Sequence, residues 1–254
     1  MIALFGFGGM LVLALVILQV VALRKIRLIH LQSFEILDHA RATRSEAENL
    51  FGQIQCLGLL ERTLDMHQKL PLMRGWAGSP DLLLHLARHA LSHRPRIAAE
   101  CSSGVSTLVL ARCMQMNGAG HVYSLEHEEL YAEKTRAMLR EHGLDTWATV
   151  VHAPLIAGPE GTPWYDELAL PAEMKEIELL VVDGPPQGVG KLARYPALPR
   201  LLHRMAPTFT VFADDAARDD EQEMLKRWLR EVPRLQLTNL VAEKGLAMVS
   251  RSLP

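Results

Sequence analysis

Two apolar runs in the second half of the chain end in acids. Leu179-Leu180-Val181-Val182 leads into Asp183, and Val211-Phe212-Ala213 leads into Asp214 and Asp215. Short apolar runs bounded by turn residues read as buried strands. If the two strands are neighbours, about 5 Å apart, Asp183, Asp214 and Asp215 converge on one small volume. Crowded carboxylates repel unless they hold a cation, share a proton or face a positive ligand. All-oxygen ligation favours a hard ion such as magnesium or calcium. The plainer alternative is that Asp214 or Asp215 caps the next helix.

Two further strand ends carry chemistry. Glu100-Cys101-Ser102-Ser103-Gly104-Val105-Ser106-Thr107 is a small-residue turn from strand to helix. It lets a ligand approach the backbone and offers it the free N–H groups of a helix start. It has neither the G-x-G-x-x-G fingerprint nor a Walker lysine, so a dinucleotide or a nucleoside triphosphate is not indicated, and an oxidoreductase is disfavoured. Glu126, in Tyr123-Ser124-Leu125-Glu126-His127, is placed to accept two hydrogen bonds from a ribose diol; a solvated acid at the head of the next helix is the alternative. His85, His89 and His93 share one helix face at i, i+4 and i+8, a zinc-compatible spacing, but with no paired cysteine or carboxylate they read as a polar stripe.

The elements that must position these residues alternate. Strand-like runs at 96–101, 121–126, 147–152, 177–183 and 208–213 are separated by helical patterns at 104–117, 128–142, 195–205 and 218–231. This βαβ repetition predicts a mostly parallel sheet with helices on both faces. Residues 235–241 and 246–251, joined by Glu243-Lys244-Gly245, predict a closing hairpin. Ser79-Pro80-Asp81 starts a helix over 80–93 with an N-cap serine and a proline at the first position. The 153–176 stretch, with Trp164 and Tyr165, is a candidate lid.

Taken together, Glu100 to Thr107, Glu126, Val182-Asp183-Gly184-Pro185-Pro186-Gln187-Gly188, Ala193-Arg194-Tyr195-Pro196-Ala197 and Asp214-Asp215-Ala216-Ala217-Arg218 resemble the class I S-adenosylmethionine-dependent methyltransferases, over about residues 75–251. Within them the chain is most similar to the branch with an acid-x-G-S-G-x-S-T first loop. The resemblance implies a Rossmann-like seven-stranded sheet whose last strand is antiparallel. It implies S-adenosylmethionine as cofactor, held by Glu100, Ser102, Ser103, Gly104, Ser106, Thr107, Glu126, His127 and Asp183. Asp183 and Asp215 are the expected catalytic residues. The triad Asp183, Asp214 and Asp215 also resembles the metal site of catechol-type O-methyltransferases, which implies an oxygen acceptor and a divalent cation such as magnesium. Ser102 stands where the family loop has its first glycine. Pro185 and Pro186 stand where those enzymes carry a basic residue, with Lys191 as a candidate substitute. The competing expectation is a scaffold that keeps the fold without turnover.

The formal charge is −2 on 254 residues, which argues against a dedicated nucleic-acid partner. That average hides a polarity. Ile2–Leu23 is free of formal charge and, as a helix, reaches roughly 33 Å. Arg24, Lys25 and Arg27 come directly after it, which predicts a single-pass membrane anchor with the remainder cytoplasmic. Residues 24–96 carry 11 basic and 7 acidic side chains, and 97–254 carry 16 and 22. Residues 28–68 hold apolar residues near heptad spacing, which predicts a helical stalk, either self-associating or packed on its own domain. The expected organisation is an anchor over 1–27, a stalk over 28–74 and a catalytic domain over 75–254, acting on a small-molecule or lipid-linked acceptor. Cys56, Cys101 and Cys113 form no C-x-x-C pair and read as reduced thiols.

Overall fold

The computed structural model describes residues 2–66, 68–73, 78–158 and 161–252, with side chains described from residue 15 onward except at positions 35, 42 and 45. The chain divides into two compact units, Met1–Phe51 and Gly52–Pro254. The first is formed by helix α1 (Ile2–Leu64), whose last turns belong to the second. Its described apolar residues, Leu15 to Leu37, are exposed. Among the described residues no helix is long and apolar enough to cross a membrane. Most of the expected anchor, residues 2–14, lies outside the described side chains. The nine residues from 15 to 23 would span only about 14 Å as a helix, too little for a bilayer core.

The second unit starts earlier than the stalk boundary at 74. Leu60 and Leu64 are fully buried in the domain core, so the end of α1 is a packing helix of that domain. Helix α2 (Pro80–His93) starts where the sequence predicts, but Ser79 does not cap it with its side chain. Its hydroxyl instead donates to Asp81 Oδ1 at 2.5 Å. Asp81 Oδ2 accepts from Gln53 Nε2 at 2.8 Å and from the Glu243 N–H at 2.7 Å. Burial opposes this charge, and these three hydrogen bonds, with a fourth from the Leu82 N–H to Oδ1 at 2.8 Å, outweigh it, holding the Asp81 carboxyl below its ordinary pKa.

The sheet is built from β1 (Ile97–Cys101), β2 (His121–Glu126), β3 (Ala148–His152), β6 (Ile177–Val182), β7 (Met205–Asp214), β8 (Leu235–Leu240) and β9 (Leu246–Arg251), in the order β3-β2-β1-β6-β7-β9-β8. β9 runs antiparallel to both β7 and β8, and the others pair in parallel where they meet. The expected seven-stranded sheet with an antiparallel last strand is thus observed. Parallel strands covered on both faces need apolar side chains on both sides, and Leu179 to Val182 are fully buried. One face packs the end of α1, α2, α3 (Val105–Asn117) and α4 (Glu129–Glu141). The other packs α5 (Ala197–Leu201), α6 (Asp219–Glu231) and a separate hairpin, β4 (Leu155–Ala157) with β5 (Pro163–Tyr165).

Register decides what the strand ends can do. Cys101 lies level with Leu125 on one side and Val182 on the other, and Val182 lies level with Ala213. The residues just past β1, β6 and β7 therefore emerge side by side at one edge, beside Glu126 at the end of β2.

Candidate functional site

The loop after β1 is folded by its own hydroxyls. Thr107 Oγ1 accepts from the Gly104 N–H at 3.0 Å and donates to Glu100 Oε2 at 2.7 Å, which also accepts from Ser124 Oγ at 2.9 Å. Glu100 is fully buried, and burial raises its pKa despite these hydrogen bonds. Gly104 has φ +149°, open to glycine and strained for other residues. Ser102, where the sequence resemblance implies a glycine, has φ +127°, a strained conformation for a residue with a Cβ.

This loop forms one wall of a cavity of about 640 Å³. Ser102, Ser103, Gly104, Ser106, Glu126, His127 and Asp183 line it, as do Asp215, Tyr165, Arg194, Arg218 and Lys244. Glu100 and Thr107, expected to touch a cofactor, are outside this lining and brace the loop from beneath. Lys191, the candidate base, is exposed and also outside the lining.

At the β2 end, Glu126 Oε2 accepts from Ser103 Oγ at 3.0 Å and Oε1 from the Glu128 N–H at 3.1 Å, with His127 Nδ1 also 3.1 Å away. Burial opposes the charge, but these three partners outweigh it and lower the Glu126 pKa. The hydrogen bond to Glu126 in turn raises the pKa of His127. The carboxylate is therefore held ionised, as an acceptor of ligand hydroxyls must be.

Trp164 and Tyr165, from the candidate lid, are buried, and Tyr165 lines the cavity. The Tyr165 hydroxyl is buried without a hydrogen-bond partner. Burial raises its pKa well above the ordinary value, so it remains a donor. It reaches the cavity because residue 184 is glycine: a Cβ there would lie 2.8 Å from Tyr165 Oη and 2.9 Å from the Cys101 carbonyl oxygen.

Asp183, Asp214 and Asp215 converge as expected, with one carboxylate oxygen from each within 4.8 Å of the others. What the sequence did not reveal is the cation already among them. Arg194, 6% exposed, places Nη2 at 2.9 Å from Asp215 Oδ2 and 3.4 Å from Asp183 Oδ1. Its Nη1 donates to the Asp214 carbonyl at 3.2 Å and Nε to the Pro185 carbonyl at 3.4 Å. Arg218 Nη2 stands 2.9 Å from the other oxygen of Asp215, and Glu221 Oε1 lies 3.8 Å from Arg194 Nη1. Burial, then Asp214, raises Asp183 to about 8 against the pull of Arg194. Burial likewise raises Asp214 and Glu221.

The triad does not fit a divalent ion well. Both oxygens of Asp215 and one of Asp183 already face guanidinium nitrogens. An ion bound to the same oxygens would stand beside the Arg194 guanidinium, whose like charge repels it. The three acids expected to hold magnesium thus stand in a network with two guanidiniums. The histidine stripe is no metal site among the described residues: His89 and His93 stack at 4.0 Å, and burial, then His93, lowers His89 to about 4.

Arg194 and Arg218, present in the sequence only within longer motifs, and Tyr165, read only as part of a lid, were given no role in the site. The signal available for Arg194 was its position between the Gly-Pro-Pro turn and Pro196, a lone arginine where the chain must pass the strand ends.

Residues 101–216 match the family model described as a methyltransferase domain. Comparison with curated proteins gives no match. Among solved structures, the chain is similar to the O-methyltransferase from Bacillus cereus in complex with SAH, with TM-score 0.54 and 17% identity over 81% of this chain and 97% of that one. It is similar to the O-methyltransferase TomG from Streptomyces achromogenes, in complex with SAM, with TM-score 0.53 and 16% identity over 80% and 95%. The SAH-bound methyltransferase PaMTH1 of Podospora anserina has TM-score 0.53 and 16% identity over 70% and 81%. At these identities the likeness is one of fold.

Proposed function

We propose that this chain is an S-adenosylmethionine-dependent methyltransferase that methylates an oxygen of a small or membrane-associated acceptor. One observation carries the reading: a single cavity joins a small-residue strand-to-helix turn and an ionised acid, Glu126, to a protonatable acid, Asp183. When bound, S-adenosylmethionine supplies a sulfonium-activated methyl group: the S–CH3 bond breaks as the acceptor O–CH3 bond forms, and the thioether leaves. The backbone of Ser103 to Ser106 and the Glu126 carboxylate hold the cofactor, the latter through the ribose hydroxyls. The Tyr165 hydroxyl gives a further donor at the meeting of β1 and β6. Asp183 takes the proton of the acceptor hydroxyl. The buried walls exclude water and fix the alignment of donor and acceptor, which is most of what this chemistry needs.

Tethering at a membrane is supported by the uncharged run 2–23 and the basic cluster directly after it. On this reading the domain faces the cytoplasm, meets its acceptor at that surface, and resists carbonate extraction from membranes. Titration calorimetry with S-adenosylmethionine and S-adenosylhomocysteine tests the enzyme reading, and no heat from folded protein at millimolar ligand would sink it.

A second reading, a scaffold that keeps the fold without turnover, is favoured by the strained Ser102 beside the cofactor loop. A scaffold keeps its membrane-linked phenotype when Asp183 is replaced and folding is intact, whereas the enzyme loses it.

A further inference from the structure

We infer that Arg194 takes the place of a divalent metal in this site, so that methyl transfer proceeds without a bound metal ion and a built-in guanidinium fixes Asp183. The activity half of this inference rests on the methyltransferase reading; the binding half rests on the acid–arginine network alone.

Arg194 is held like a structural cation. Two backbone carbonyls, Pro185 and Asp214, accept from Nε and Nη1. These bonds fix the plane of the fork and leave Nη2 aimed between Asp183 and Asp215. A planar guanidinium suits this task because its donors diverge in fixed directions, where a lysine offers a single compact charge. Arg218 occupies the remaining oxygen of Asp215 at 2.9 Å. An incoming ion thus meets a guanidinium nitrogen already on both oxygens of Asp215 and on one of Asp183. Asp214 Oδ1 is buried and unpartnered, and burial raises the pKa of that carboxyl, favouring its neutral form. Arg194 acts through Asp183, so it is a positioning residue.

The test uses the full chain in detergent micelles. Manganese is titrated into wild-type protein and followed by electron paramagnetic resonance, and transfer is assayed with and without EDTA. The expected results are no saturable binding up to about 1 mM, the range of weak oxygen-ligand sites, and activity changed by EDTA less than about twofold. Arg194→Ala should lose about 100-fold in kcat/KM through misplacement of Asp183, and added guanidinium should recover about tenfold of it by refilling the planar site. Saturable manganese binding by wild type that Asp215→Asn abolishes, or an EDTA loss above about tenfold restored by magnesium, would overturn the inference. If Arg194→Ala does not fold, the two wild-type measurements decide alone. EDTA-sensitive transfer overturns the inference and leaves the methyltransferase reading standing. Protein that neither binds cofactor nor transfers, yet is silent to manganese, sinks that reading and leaves Arg194 as the cation of the network.

Discussion

Glu126 and Asp183 line one cavity at the ends of neighbouring parts of the same sheet, and their surroundings push them in opposite directions. Glu126 is met by donors: the Ser103 hydroxyl, the Glu128 N–H and His127. Asp183 is met mainly by burial and by another acid, Asp214, and the single guanidinium of Arg194 is shared with Asp215. The first acid is fixed in its charged form and suits binding; the second carries a proton near neutrality and suits proton transfer. Two carboxyl groups thus take two roles from environment alone.

The largest effect should come from removing the second role while keeping its shape. Asp183→Asn should lower kcat/KM by about 10³-fold, within the range for loss of a general base, and leave the calorimetric Kd for S-adenosylhomocysteine within about threefold. Equal losses in both would break the division between the two acids. The pH profile sharpens it. With Asp183 ionised only above about 8, kcat/KM should climb about tenfold per pH unit below that point and then level. A flat profile between pH 6 and 9 removes Asp183 as the base.

The same shift has a stability sign. Between its ordinary value near 3.8 and about 8, folded Asp183 keeps a proton that the unfolded chain has released. The folded state binds more protons there, so this group's contribution to stability falls as pH rises through the window. Thermal unfolding of Asp183→Asn should lose that part of the pH dependence.

Smaller effects belong to the binding end. Glu126→Gln should weaken cofactor binding about 10- to 100-fold, the size of a charge-assisted hydrogen-bond loss, with little change in kcat at saturation. A drop in kcat as large as the loss in affinity would blur the comparison. Smallest is Ser102→Gly, which relieves the φ of +127°. It should stabilise the domain by about 1 kcal/mol and tighten cofactor binding a few-fold, measured by thermal shift and calorimetry. An unchanged melting temperature would show that the loop holds no strain.

Much of this site was legible in the sequence because parallel strands advertise themselves. Leu179 to Val182 and Val211 to Ala213 are apolar on both faces, and the residue at the carboxyl end of such a run must emerge at the ligand-binding edge. Whether an acid near that edge faces a ligand or the protein was not legible. Glu100 reads like Glu126, yet it is buried under the loop by Thr107 and Ser124, a choice made by side-chain partners rather than by spacing. Arg194 and Tyr165 come from segments with no period to read. Arg194 lies in an irregular turn, and Tyr165 ends a three-residue strand too short to pattern. Whether the stalk self-associates or packs on its own domain was not legible, because the helical rhythm of residues 28–64 is the same either way; burial of Leu60 and Leu64 and the packing of Cys56 show the end of α1 in the core.

Asp81 gives the domain a property of timing. Its Oδ2 is shared by Gln53 and the N–H of Glu243, a residue 162 positions later in the chain. Synthesis delivers the first partner early and the second after nearly all the sheet has been made. The clasp between α1, α2 and the closing hairpin is therefore completed only by a nearly finished chain. Lys244, next to the clasp, lines the cavity, so during biosynthesis the site's last wall is set in place together with the domain's final fastening.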